Sequence, residues 1–157
     1  MNNKYLNQAI RAYNEANDFF DLASYADKKS FGFSIDGLGE KYAAARNANL
    51  TFACELYFKS LFYLNEHNPR KYGHLLLSLF NNLMSIDKDT CKEIESLYST
   101  RFTPITPFIE LLTKQDNSFK EWRYYFEPQN KKIEFHITDM GILARTLKSI
   151  CEERIKT

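Results

Sequence analysis

Apolar residues recur along most of this chain at three- and four-residue steps, the spacing that lines one face of an α-helix. Leu6, Ala9, Ile10, Tyr13, Ala16, Phe20 and Ala23 form the first such stripe and predict a helix from about Lys4 to Lys28. Gly32, Gly37 and Gly39 then cluster in Ser30 to Gly39, which reads as a loop. A broader stripe, with Leu50, Ala53, Cys54, Tyr57, Phe58, Leu61, Phe62 and Leu64, predicts a second helix from about Glu40 to Glu66. Its width suits a central helix covered on more than one side. Asn68-Pro69 should end it, because proline disfavours helical geometry in the residue before it.

Shorter elements follow. Leu76, Leu79, Phe80 and Leu83 share one face of a third helix, expected over about His74 to Met84. Asp87 or Asp89 can cap a fourth, running to about Arg101. Thr103-Pro104 and Thr106-Pro107 break the pattern, and Pro107 suits the first turn of a segment through Lys114. Asn117-Ser118 then reads as a new helix start, with helix to about Tyr124 and extended chain beyond. Trp122, Tyr124 and Phe126 alternate with polar neighbours, as do Ile133, Phe135 and Ile137, so a short hairpin near 122–137 fits the same stretch. The last helix is expected from about Asp139 to Lys156, capped by Thr138 or Asp139, with Ile142, Leu143, Leu147, Ile150 and Cys151 inward.

These elements predict one all-α domain over residues 1–157, an antiparallel bundle of about five main helices joined by short links. Composition agrees. Valine is absent, which disfavours a large sheet, and 44% hydrophobic residues are enough for a real core. The net charge of +1 gives no global attraction to nucleic acid, so any RNA contact must come from a local patch. Cys54, Cys91 and Cys151 lie far apart in apolar contexts and read as buried free thiols. With no secretory pattern after Met1 and no apolar run of membrane-spanning length, a cytoplasmic protein without a membrane segment is expected.

Three stretches carry more specific information. They are Asn49-Leu50-Thr51-Phe52-Ala53-Cys54-Glu55-Leu56-Tyr57-Phe58-Lys59-Ser60-Leu61, Arg70-Lys71-Tyr72-Gly73-His74-Leu75, and Phe119-Lys120-Glu121-Trp122-Arg123-Tyr124-Tyr125-Phe126-Glu127. An acid–Lys pair within an apolar helix, a Gly-His helix start and an Arg-Tyr pair followed by Glu together resemble the HEPN superfamily. These are small all-α domains of prokaryotes, many tied to toxin–antitoxin, abortive-infection and other defence systems. The resemblance implies a helical bundle in which the three stretches approach one another. Related domains commonly pair through their helices, and Tyr and Trp suit buried interface centres, so a homodimer is expected.

The ribonuclease motif of that superfamily, an Arg separated from a His by four to six residues on one helix, is missing. Arg46-Asn47 resembles its first half, but no His follows it at that distance, and Leu50, Thr51 and Phe52 occupy the next turn. Arg70 precedes His74 too closely, with Pro69 and Gly73 interrupting the helix; Arg101, Arg123, Arg145 and Arg154 have no His at the required distance. What remains is the group Glu55, Lys59, His74, Arg123 and Glu127. In one reading, Lys59, His74 and Arg123 bind a phosphate or nucleotide, with Glu55 and Glu127 balancing their charge. In the other, Glu55 and Lys59, four apart in the favoured order, anchor the loop before His74 as scaffold.

Gly37-Leu38-Gly39-Glu40-Lys41 lacks the preceding strand and the Lys-Ser/Thr order of a phosphate loop, and reads as a connector. His67, His74 and His136 form no metal-ligand spacing, and no cofactor is implied. The expected function is a non-catalytic HEPN-like module binding a partner protein, RNA or a nucleotide in a bacterial defence or toxin–antitoxin setting. The alternative is a ribonuclease or other nucleic-acid enzyme with a non-standard Lys/His/Arg site.

Overall fold

The second stripe becomes the centre of the molecule. The structure, a computed structural model, describes residues 2–31, 38–101, 103–121 and 136–157. Helix α2 (Leu38–Leu64) carries Ala53, Cys54, Tyr57, Phe58, Leu61 and Phe62, all essentially without exposed surface. Helix α1 (Asn3–Phe31), α3 (Leu76–Ile86), α5 (Phe108–Glu121) and α6 (Ile137–Lys156) each pack against it. Helix α4 (Lys88–Arg101) closes the far side against α3, α5 and α6. Among the described residues the fold is all-α, with six α-helices, one short 3-10 turn and no strand.

Small residues set the closest contact. Ala9, Ala12, Ala16 and Ala23 of α1 are buried against α2, which lets the two backbones approach. Ser60 Oγ consequently reaches the Ala9 carbonyl at 2.9 Å, and Tyr57 Oη donates to Asn17 Oδ1 at 2.7 Å. These pairings run in opposite directions along the chain, so α1 and α2 are antiparallel. Helix α6 runs alongside α2 in the same sense: Arg46 and Leu50 share a cleft with Gly141 and Arg145, while Cys151 Sγ reaches the Tyr57 carbonyl at 3.4 Å.

Aromatic rings fill the rest of the core. Phe80 of α3 meets Phe58 of α2 edge-on at 6.3 Å and Phe108 of α5 at 4.8 Å, and Phe108 meets Tyr98 of α4 at 5.4 Å. Tyr57, Phe58 and Phe62 are therefore interior residues and supply no dimer face. Trp122, Tyr124, Tyr125 and Phe126 lie outside the described residues. No described helix is long and apolar enough to cross a membrane.

Several helix ends are fixed by carboxylates, not always by the nearest one. Asp87 caps α4 as expected, its two oxygens accepting from the Thr90 amide at 3.0 Å and the Thr90 hydroxyl at 2.7 Å. Partial burial raises its pKa, but the bonds from Thr90 and Asn65, with Arg154 nearby, outweigh this and leave the carboxyl below its ordinary value. Helix α3 has Leu75 at its N-cap, which offers no side-chain acceptor. Asp116 of α5 supplies one instead, accepting from the amides of Leu76 at 2.6 Å and Leu77 at 3.3 Å.

Four expectations are corrected. Helix α5 continues from Phe108 to Glu121, so Asn117-Ser118 lies inside a helix and starts none. Its preceding turn is held by tertiary bonds: Asp116 caps α3, and buried Gln115 accepts from Asn47 Nδ2 at 3.0 Å. Neither Thr138 nor Asp139 caps α6, whose N-cap is His136; its side chain makes no capping bond to the helix and meets Thr106 Oγ1 at 3.2 Å instead. Asp139 turns to another segment, accepting from the backbone amides of Ile105 at 3.1 Å and Thr106 at 2.9 Å. Helix α3 begins at Leu76, two residues after His74. Of the loop expected from Ser30 to Gly39, both ends are helical, and 32–37 lie outside the described residues. So does 122–135, most of the stretch where the hairpin was expected.

Candidate functional site

The turn from α2 to α3 carries most of the polar group, and local chemistry fixes its path. Asn65 Nδ2 donates to the Leu61 carbonyl at 3.0 Å as α2 ends, and Glu66 takes a left-handed conformation at φ 58°. Asn68 Oδ1 then accepts from the Arg70 amide at 3.1 Å and opens a 3-10 turn over Pro69–Tyr72, with Pro69 buried. The Tyr72 ring stacks on Phe62 at 4.6 Å. Gly73 follows at φ 77° with nothing within 4 Å of where a Cβ would stand. Backbone conformation, not space, therefore selects glycine there. The turn is a strap laid over α2 and held by these bonds and the Tyr72–Phe62 ring contact.

His74 leaves this strap and returns to α2. Its Nδ1 lies 2.7 Å from Glu55 Oε1, and the same oxygen takes Lys59 Nζ at 2.5 Å. Glu55 is only 5% exposed, the Lys59 side chain is 16% exposed, and the His74 ring is 71% exposed. One nearly buried carboxylate thus orients a cation and an imidazole. Nδ1 carries the proton it donates to that carboxylate, and Nε2 is then an acceptor when the ring is neutral and a second donor when it is protonated. Lys59 Nζ stands 3.4 Å from His74 Nδ1. The anchoring of the turn by Glu55 and the meeting of Glu55, Lys59 and His74 are both present. Arg123 and Glu127 lie outside the described residues.

The strap contributes more than His74. From His67 to Ile86 the chain has no carboxylate, and Arg70, Lys71 and His74 are all exposed. The Arg70 guanidinium makes no ion pair or hydrogen bond among the described residues. It lines a cleft of about 280 Å³ between α1 and α2, together with Lys59, Arg11, Gln8 and Tyr63. Arg70 was read only as a failed motif partner. The acid-free run was a usable sequence signal, but the cleft depends on α1, more than fifty residues away.

Other polar groups serve the fold. The two halves of Arg46-Asn47 separate: Asn47 points inward to Gln115, and Arg46 lines a second cleft of about 270 Å³ with Arg145. A wider cleft of about 460 Å³ includes His136, Thr106 and Asp139, but both Asp139 oxygens are engaged by backbone amides. Cys54, Cys91 and Cys151 are buried and free. Burial pushes each thiol up, that of Cys91 to about 12, so they are protonated at neutral pH and poor nucleophiles. Among the described residues no His, Cys, Asp and Glu side chains gather as a metal-ligand set. No family model, curated protein or solved structure matches the chain.

Proposed function

We propose that this protein is a HEPN-like helical module that binds RNA or a nucleotide through its phosphate, without cleaving it, in a bacterial defence or toxin–antitoxin setting. The observation that carries this reading is the strap: a turn with no carboxylate from His67 onward, whose His74 is held with Lys59 on one buried carboxylate. Charge-assisted donors fixed in advance lose little freedom when an anion arrives. With a net charge of only +1, such contact rests on a local group of cations and not on a global field. In this reading the protein works in the cytoplasm and pairs as a homodimer, as HEPN domains commonly do.

Fluorescence anisotropy with a short single-stranded RNA tests it. His74→Ala, at an exposed position, should weaken binding about fivefold or more while the protein remains folded. With about three phosphate contacts, the logarithm of the affinity should fall against that of salt with a slope of roughly −2. Wild-type affinity in His74→Ala, or a binding curve indifferent to salt, contradicts the reading.

A second reading draws on the tautomer of His74. With Nδ1 committed to Glu55, the exposed Nε2 is in the right form to act as a general base on a nucleic-acid hydroxyl. Purified protein that degrades mixed RNA, with the activity lost in His74→Ala, would replace the binding reading with this one.

A further inference from the structure

We infer that the cleft between α1 and α2 is a nucleotide pocket, with Arg70 and Lys59 taking the phosphate and the cleft walls taking the nucleoside. This rests on the phosphate-binding reading of the strap and adds residues which that reading does not use. At about 280 Å³ the cleft lies just below the usual range for small-molecule sites, which suits one nucleotide unit and little more.

The chemistry of its walls is divided. At the strap end stands Arg70, whose planar fork matches two phosphate oxygens at once. Lys59 lines the same cleft; Glu55 takes one of its three N–H donors and leaves two for a ligand. Ala12 and Leu56 provide an apolar floor, and the half-buried Tyr63 ring, backed by Tyr5 with centroids 6.5 Å apart, provides an aromatic wall. The remaining wall is polar in both senses. Gln8 can donate and accept, and Glu15, while paired with Arg11 at 2.9 Å, keeps lone pairs that can accept from a hydroxyl or amino group. A nucleoside monophosphate presents an anion, a flat face and hydroxyl or amino edges in one molecule. Inorganic phosphate would leave the floor and the Tyr63 ring uncovered.

Calorimetry with AMP, adenosine, inorganic phosphate and a short single-stranded RNA separates the cases. AMP should bind about tenfold more tightly than adenosine or phosphate, and Arg70→Ala should weaken it about tenfold without changing the melting temperature. RNA that binds more tightly than AMP with the same dependence on Arg70 supports the pocket, with the nucleotide supplied by a chain. If AMP or RNA binds and responds to His74→Ala but not to Arg70→Ala, the pocket is wrong while phosphate binding at the strap stands. Phosphate binding as tightly as AMP also overturns the pocket. No binding of AMP or RNA to the wild type at millimolar concentration overturns both.

Discussion

Asp139→Ala should cost about 3 kcal/mol of stability, because one buried carboxylate ties two distant segments together. Asp139 is 3% exposed and sits in the first turn of α6, yet both its oxygens accept from the backbone amides at 105–106. That segment connects α4 to α5 and includes Thr103 at φ 47°, a left-handed conformation that a β-branched residue adopts at a cost of about 1 kcal/mol or more. Tyr98 Oη supports the same turn by donating to the Thr106 carbonyl at 2.7 Å. Removing the carboxylate leaves the buried Thr106 amide without its acceptor. Asp139→Asn should recover little, since an amide NH2 would face a backbone N–H where an oxygen is needed. Urea denaturation is the check. A loss below about 1 kcal/mol for Asp139→Ala would mean that the clamp contributes nothing beyond solvent-exposed bonds.

Phe80→Ala should be more damaging still, at about 3–5 kcal/mol. Phe80 is 2% exposed and its ring is the contact between α2, α3 and α5, edge-on to both Phe58 and Phe108. Truncation loses the transfer free energy of the ring and leaves a cavity that three separate helices would have to move to close. Phe80→Leu, which refills much of the space, should cost under about 1.5 kcal/mol. Thermal unfolding resolves the two variants easily. Equal losses would show that the site relaxes freely, contrary to a core locked by interleaved rings.

The helices were legible wherever one face is buried, because burial writes a 3.6-residue period into the sequence. Helix α2 was readable even as a centre, from the width of its stripe around Leu50 to Leu64. Misreadings fall where a polar residue serves a distant part of the chain. Asn117-Ser118 has the composition of a helix start, and nothing local reveals that Gln115 and Asp116 in the turn before are bound to α2 and α3. Asp139 likewise resembles a cap, and only the fold brings the 105–106 amides to it. The same division runs through the site. Glu55 and Lys59 were legible because an i,i+4 pair is local. His74 joined them through the family resemblance, since its bond to Glu55 spans nineteen residues. Arg70 was passed over because the cleft that gives it meaning needs α1.

The most direct test of the site is an NMR titration of uniformly 15N-labelled protein with a short single-stranded RNA or AMP. Amide shift changes are expected at Lys59 and over Arg70 to His74, extending to Gln8 and Arg11 of α1, and they should vanish in an Arg70→Ala, His74→Ala double variant that remains folded. Changes centred instead on the cleft of Arg46 and Arg145, or no changes at saturating ligand, would contradict the account.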